Sequence, residues 1–239
     1  MLGIIGGSGF YELGGEISAE EIFTPYGDAL VYRYKIKNKE AVFVARHGKN
    51  HSLPPHKINY RANVYALCKI GVNAVFATYA TGIIKKYRIG DLILIDDFIG
   101  FEKPITFFDN FSKGMRHTDF TNPFDNKLKE KVIEAAAIHR IKLKKGGIIK
   151  TTPGPRFESR AEIKMYGKLG ANLISMTNAY ETILLKEMEI PFCGVAIGTN
   201  YACGISKKPL THGEVIENMA SKNKILKTIA LELVNFIED

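Results

Sequence analysis

Residues able to bind anions and flat heterocycles recur along this chain. The run Gly6-Gly7-Ser8-Gly9 follows an apolar stretch, and its missing side chains let backbone amides approach an anion while Ser8 adds a hydroxyl. The glycines break the G-x-G-x-x-G spacing of a dinucleotide fingerprint, and no acidic residue follows a clear second strand, which disfavours a nicotinamide dehydrogenase. Alone, the run is equally a tight turn without a ligand. Arg46-His47-Gly48 leads to His51, Pro54, Pro55 and His56, three histidines within ten residues. That density invites a metal reading, but Gly48, Pro54 and Pro55 oppose a helix and the cluster holds no acidic or cysteine partner, so no metal is expected. Arg46 beside a strand end suits a charge-assisted contact with a phosphate oxygen, a surface salt bridge being the plain alternative.

Further along, Pro153-Gly154-Pro155-Arg156-Phe157-Glu158-Ser159 forms a rigid turn that delivers an aromatic ring and a carboxylate before a helix. Phe157 could stack on a base and Glu158 accept its ring N–H; otherwise Phe157 belongs to the core and Glu158 to the electrostatics of a helix N-terminus. Ser175-Met176-Thr177-Asn178 and Gly198-Thr199-Asn200-Tyr201-Ala202 each follow a strand-like run. Polar groups at such carboxyl ends are where open α/β sheets bind ligands.

The elements that must position these residues alternate. Strands are expected at Leu2–Ile5, Ala29–Ile36, Ala41–Ala45, Ala74–Ala77, Leu92–Ile95, Gly147–Thr151, Leu173–Ser175 and Phe192–Ile197. Helices are expected at Asn59–Ile70, Lys127–His139, Arg160–Leu169 and Thr182–Met188, with Gly71 and Gly170 as terminating glycines. A last helix follows Thr211 and Glu214, which have capping-box spacing, and carries Ile225, Leu226, Ile229, Leu233, Phe236 and Ile237 on one face. The pattern is α/β. Phe101–Phe124 is different: six phenylalanines without a period, between Pro104 and Pro123, read as a subunit contact rather than a packed surface loop.

With 239 residues, 46% of them apolar, the chain can bury one core, and a single domain over 1–239 is expected. The net charge of +8 comes from scattered lysines, not a dense basic stripe, so no nucleic-acid partner is expected. Cys68, Cys193 and Cys203 lie in apolar surroundings without metal spacing and read as reduced, buried thiols of a cytoplasmic protein. No stretch reaches the roughly 20 apolar residues of a membrane span, and no basic leader region is present.

As an ordered set, the motifs carry a resemblance. Gly6-Gly7-Ser8-Gly9, Arg46-His47-Gly48 through His56-Lys57-Ile58-Asn59-Tyr60-Arg61-Ala62-Asn63, Gly154-Pro155-Arg156-Phe157-Glu158, Met176-Thr177 and Thr199-Asn200-Tyr201 resemble those of the trimeric purine nucleoside phosphorylases, especially the methylthioadenosine phosphorylase branch. The resemblance implies a single α/β domain around a mixed, partly barrel-like sheet flanked by helices. It further implies a homotrimer or a hexamer built as a dimer of trimers, with nucleoside and inorganic phosphate as substrates and no cofactor. It implies a phosphate site from Ser8, Arg46, His47, the Ala80 backbone and Thr177, with Met176 against the ribose and Phe157 flanking the purine. His117 would reach the 5′ end of a neighbouring subunit's ligand, and His212 stands where 5′-hydroxyl-binding relatives carry histidine. One departure affects the phosphate loop: the family's Thr-Ala pair is here Tyr79-Ala80-Thr81-Gly82, leaving Thr81, the Tyr79 hydroxyl or a water to supply the missing donor.

Asn200 falls by resemblance beside purine N7, where adenine-specific members carry aspartate. An asparagine amide can donate to O6 and accept from protonated N7, and Glu158 can accept from the N1–H of a 6-oxopurine. The expected activity is phosphorolysis of a 6-oxopurine nucleoside, S-methyl-5′-thioinosine in preference to inosine or guanosine, with Arg46, His47 and Asn200 as the catalytic groups. The alternatives are S-methyl-5′-thioadenosine phosphorolysis and, from another class, a nucleoside-binding protein without turnover.

Overall fold

A computed structural model describes residues 1–7, 10, 13–14, 16–101, 104–112, 114–206 and 212–237, leaving aside the side chains of residues 16, 49, 212 and 214. The described residues form strands β1 (Leu2–Gly6), β2 (Glu16–Ile22), β3 (Ala29–Ile36), β4 (Lys39–Ala45), β5 (Ala74–Ile83), β6 (Leu92–Ile99), β7 (Leu143–Thr151), β8 (Leu173–Ser175) and β9 (Phe192–Tyr201). The helices are α1 (Tyr60–Lys69), α2 (Asn126–Ile138), α3 (Arg160–Lys168), α4 (Asn178–Glu187) and α5 (His212–Phe236).

β1 is buried along its whole length, as a strand covered on both faces must be, and it lies parallel to β4 on one side and β5 on the other. The sheet runs β2-β3-β4-β1-β5-β8-β7-β6-β9, and β5 also pairs with β9. That extra pairing closes β5, β8, β7, β6 and β9 into a five-stranded barrel, with β8 antiparallel to β5 and β6 antiparallel to β9. Two large apolar cores and a smaller one around Ile163 and Tyr166 of α3 form against the sheet. One large core takes Ala62, Val64, Ala66 and Leu67 of α1 with Leu184 and Leu185 of α4. The other large core takes Leu128 and Val132 of α2 with Leu226, Ile229 and Leu233 of α5. The sequence-expected α5 face is therefore the buried one, with Ile225 and Phe236 packed at its margin.

All eight expected strands are present, but β5 and β9 run past their expected ends at Ala77 and Ile197 to Ile83 and Tyr201. Polar residues in their second halves are buried by barrel closure, which no local pattern signals. β2 has no counterpart in the sequence reading. Its run Glu-Ile-Ser-Ala-Glu-Glu-Ile pairs only with β3, and charged residues on an edge strand hide a β pattern while discouraging edge pairing. Helix ends follow expectation: Gly71 and Gly170 have φ of 79° and 104°, and Val72 and Ala171 donate back to Leu67 and Tyr166, the C-terminal closure that a left-handed residue permits. α4 starts at Asn178 rather than Thr182, because its first turn buries polar Asn178, Glu181 and Thr182 and shows no amphipathic period. Thr211 and the Glu214 side chain, the proposed capping box of α5, lie outside the described residues.

The described part of the segment from Phe101 to Phe124 is irregular and leaves Phe101, Phe111 and Met115 exposed at 63%, 50% and 74%. The three cysteines are free, but only Cys193 is fully buried. Among the described residues no helix is long and apolar enough to cross a membrane.

Candidate active site

A cavity of about 450 Å³ opens where five chain segments meet. These are the loop after β4, the second half of β5, the turn after β7, and the ends of β8 and β9. Because β8 runs against β5, its carboxyl end delivers Ser175, Met176 and Thr177 beside Tyr79, Ala80 and Thr81, which lie inside β5 rather than after it. The volume is in the range of small-ligand sites.

One end of the cavity is built around Arg46, a residue 2% exposed whose backbone N–H extends the β4 ladder to the Gly6 carbonyl. Its guanidinium is gripped bidentately by Glu181, Nε donating to Oε1 at 2.5 Å and Nη2 to Oε2 at 2.8 Å. Nη1 donates to the Thr78 carbonyl at 3.0 Å. Three of five N–H groups are thereby committed, and two remain for an anion. Tyr79 lies beneath, its ring 4.5 Å from the guanidinium carbon and its hydroxyl donating to Glu181 Oε2 at 2.6 Å. Burial alone would push Arg46 down, but Glu181 outweighs it and holds the guanidinium above its ordinary value. Burial first, then Glu181, pushes the Tyr79 phenol well up. Arg46 is therefore a permanent cation that brings its own counter-ion, and its ion pair is buried rather than on the surface. Gly7 explains part of the glycine run: a Cβ there would stand 2.4 Å from Arg46 Nη1.

Both candidate hydroxyls of the phosphate loop have acceptors of their own. Tyr79 gives its proton to Glu181, and Thr81 Oγ1 donates to the Ile197 carbonyl at 2.9 Å. Ala80 lines the cavity. Thr177 is the N-cap of α4 yet makes no side-chain capping bond, so its hydroxyl is not spent on its own helix, and the helix N-terminus adds a field favourable to an anion. His47 lines the same end, its Nδ1 2.8 Å from the Leu53 carbonyl and its ring stacked on His51 at 4.1 Å. A carbonyl only accepts, so Nδ1 carries the proton and Nε2 of the neutral ring is an acceptor. Ser8 lies outside the described residues.

The other end carries Phe157, Glu158 and Asn200. Glu158 is 8% exposed and accepts from Thr152 Oγ1 at 2.6 Å through Oε1. Burial pushes its carboxyl up, although the Thr152 bond opposes that. Asn200 is held at both ends of its amide: Thr199 Oγ1 donates to Oδ1 at 2.7 Å, and Nδ2 donates to the Tyr201 carbonyl at 3.0 Å. The carbonyl partner fixes which end is nitrogen. One lone pair and one N–H remain, the complement of a keto oxygen beside a protonated imidazole nitrogen. A register shift between Thr81 and Gly82 sets Asn200 opposite Gly82, where a Cβ would come 2.9 Å from Ile174 Cγ2 and 3.3 Å from Asn200 Nδ2. The bulge thus aims Asn200, and the glycine leaves it room.

Met176 also lines the cavity, and Val215 from the first turn of α5 adds an apolar wall. His117 is not in this cavity. It is exposed, packs edge-on to Phe111 at 5.8 Å, and lines a separate depression. His212 begins α5, but its side chain is outside the described set. His56 is exposed on a short turn. Glu181 was not singled out from the sequence, although a signal existed: it is the only charged residue between Lys168 and Lys186.

A family model described as Phosphorylase superfamily matches residues 1–235, and the chain belongs to that superfamily. Over 98% of this chain and 92% of the relative, it is 41% identical to the probable 6-oxopurine nucleoside phosphorylase of Moorella thermoacetica. It is 40% identical to the 6-oxopurine nucleoside phosphorylase of Pyrococcus furiosus, covering 99% and 92% of the two chains. To the probable S-methyl-5′-thioinosine phosphorylase of Methanopyrus kandleri it is 39% identical, covering 98% and 90%. Among solved structures, methylthioadenosine phosphorylase from Schistosoma mansoni in complex with adenine aligns with a TM-score of 0.91 at 27% identity, covering 100% of this chain and 92% of that one.

Proposed function

We propose that this protein splits the N-glycosidic bond of 6-oxopurine nucleosides with inorganic phosphate, releasing the base and a ribose 1-phosphate, and that S-methyl-5′-thioinosine is its preferred substrate. The observation that carries this reading is the hydrogen-bonding state of Asn200 and Glu158. With Thr199 and Thr152 satisfied, Asn200 keeps one donor and one acceptor position and Glu158 keeps an acceptor oxygen, a set suited to O6, N7–H and N1–H. Names of relatives at about 40% identity agree with it.

As the glycosidic bond lengthens, positive charge builds on the ribose and negative charge on the departing purine. The two remaining N–H groups of Arg46, the Thr177 hydroxyl and the α4 N-terminus suit a phosphate held on the opposite face, where it stabilises the ribosyl cation. His47 Nε2 suits a protonated phosphate oxygen when the ring is neutral, and donates when the ring is charged. Ser8 and the Ala80 backbone complete this proposed set. Asn200 stabilises the leaving base through O6 and N7–H, while Phe157 flanks its plane and Met176 the ribose. No covalent enzyme intermediate is required.

Val215 supports an apolar 5′ substituent. The exposed Phe101, Phe111 and Met115 favour a homotrimer, alone or paired as a hexamer, in which His117 serves a neighbouring subunit's ligand and His212 closes the 5′ end. The three free cysteines fit a reducing, cytoplasmic setting. The test is base release from S-methyl-5′-thioinosine, inosine and S-methyl-5′-thioadenosine with and without phosphate. Phosphate-dependent hypoxanthine release, fastest from the methylthio substrate, is expected. Faster adenine release contradicts the base assignment, and purine binding without any phosphate-dependent product marks a binding protein.

A further inference from the structure

Thr152 follows directly on β7 and is 5% exposed. Its backbone N–H donates to the Ser175 carbonyl at 2.9 Å. Its hydroxyl has two acceptors within reach: Glu158 Oε1 at 2.6 Å and that same Ser175 carbonyl at 3.4 Å. The geometry matters because Glu158 is buried, and burial pushes its carboxyl toward the protonated form. A protonated carboxyl that turned its O–H toward the ligand would oppose a purine N1–H and welcome the bare N1 of adenine. The other ionisable groups around it do not remove this hazard. Arg156 and the Glu158 backbone N–H act to lower the carboxyl, less than burial raises it; Arg156 is paired with Glu162 at 2.7 Å, Glu162 adds like charge, and Cys203 is a thiol that burial holds above its ordinary value.

We propose, resting on the reading above, that Thr152 is a positioning residue that determines base specificity: its hydroxyl keeps one oxygen of Glu158 occupied and the other an acceptor, whether or not Glu158 is ionised. With the carboxylate, Thr152 donates to Oε1. With the neutral acid, the Glu158 O–H donates back to Thr152 Oγ1, and the threonine proton swings to the Ser175 carbonyl. In both states Oε2 faces the base as an acceptor, so adenine gains nothing at acid pH. The proton stays on the Glu158–Thr152 side throughout.

The experiment measures kcat/KM for S-methyl-5′-thioinosine and S-methyl-5′-thioadenosine at saturating phosphate from pH 5 to 8. Wild type is compared with Thr152→Val, Thr152→Ala and Thr152→Ser, with melting temperature and KM for phosphate as controls. The expected result is a discrimination ratio that is flat with pH in wild type and Thr152→Ser. In Thr152→Val or Thr152→Ala it falls roughly tenfold, the worth of one hydrogen bond to a charged group, and falls further as pH drops, with phosphate KM unchanged. A structural role alone would not make the ratio depend on pH. Wild-type preference for the 6-oxopurine that persists, flat with pH, in whichever hydroxyl-free variant folds overturns the role of Thr152 alone. A wild type that favours the adenine nucleoside overturns the proposed function and this role together.

Discussion

Substituting Glu181→Gln tests the logic of the anion site most directly. Arg46 and Glu181 side chains are only 1% and 3% exposed, so the guanidinium depends on this carboxylate for compensation. Removing one member of a buried ion pair costs about 3–5 kcal/mol, because the other charge is left stranded. For a chain of 239 residues, at roughly 2–4 °C per kcal/mol, melting should fall by about 6–20 °C. Phosphate should recover part of that loss, since it returns a negative charge to the two N–H groups that Arg46 does not spend internally. Ligand at a hundred times its dissociation constant stabilises by about 2.7 kcal/mol, and a site carrying an extra unit of positive charge should reach that stabilisation at lower phosphate. The assay is thermal unfolding at low ionic strength over a phosphate titration. A variant that melts with wild type, or whose phosphate-dependent rise does not exceed that of wild type, refutes the account of Arg46 as a cation held by its own counter-ion.

Asn200→Asp should move kcat/KM toward adenine nucleosides by roughly tenfold or more, because the lost N–H leaves O6 facing a carboxylate; an unchanged base ratio measured on paired substrates contradicts its role. Glu158→Gln should gain stability relative to wild type as pH rises. Burial raises the Glu158 carboxyl in the folded state, so between the ordinary carboxylate value and that raised value the unfolded chain has released its proton while the folded chain still holds it, and the stability wild type has in acid is lost across that window. Melting curves of the two proteins from pH 4 to 8 should diverge upward, and parallel curves would show that Glu158 is not desolvated. Gly82→Ala should weaken base discrimination more than phosphate binding, because its Cβ would press on Ile174 and Asn200; equal losses in both, measured as KM for each substrate, would detach Gly82 from the aim of Asn200.

Much of this protein was legible in one dimension. The alternation of β-branched runs with helical faces located eight strands, and glycines at helix ends marked Gly71 and Gly170, because those signals are local and depend on a single residue's conformational freedom or on burial of one face. The motif set around Arg46, Phe157, Thr177 and Asn200 likewise lay in short contiguous runs of sequence. What tertiary structure alone decided was every feature that joins distant segments. Closure of β5 on β9 carried both strands past their apparent ends and placed Asn200 against Gly82. Glu181 pairs with Arg46 across 135 positions, and Tyr79 meets the same carboxylate across 102, so a tyrosine that looked like a defect in an anion loop is instead part of the support beneath its cation. The reason is physical: local sequence sets which backbone conformations are cheap, whereas the partner that satisfies a buried charge or hydroxyl is chosen only when the chain closes around it.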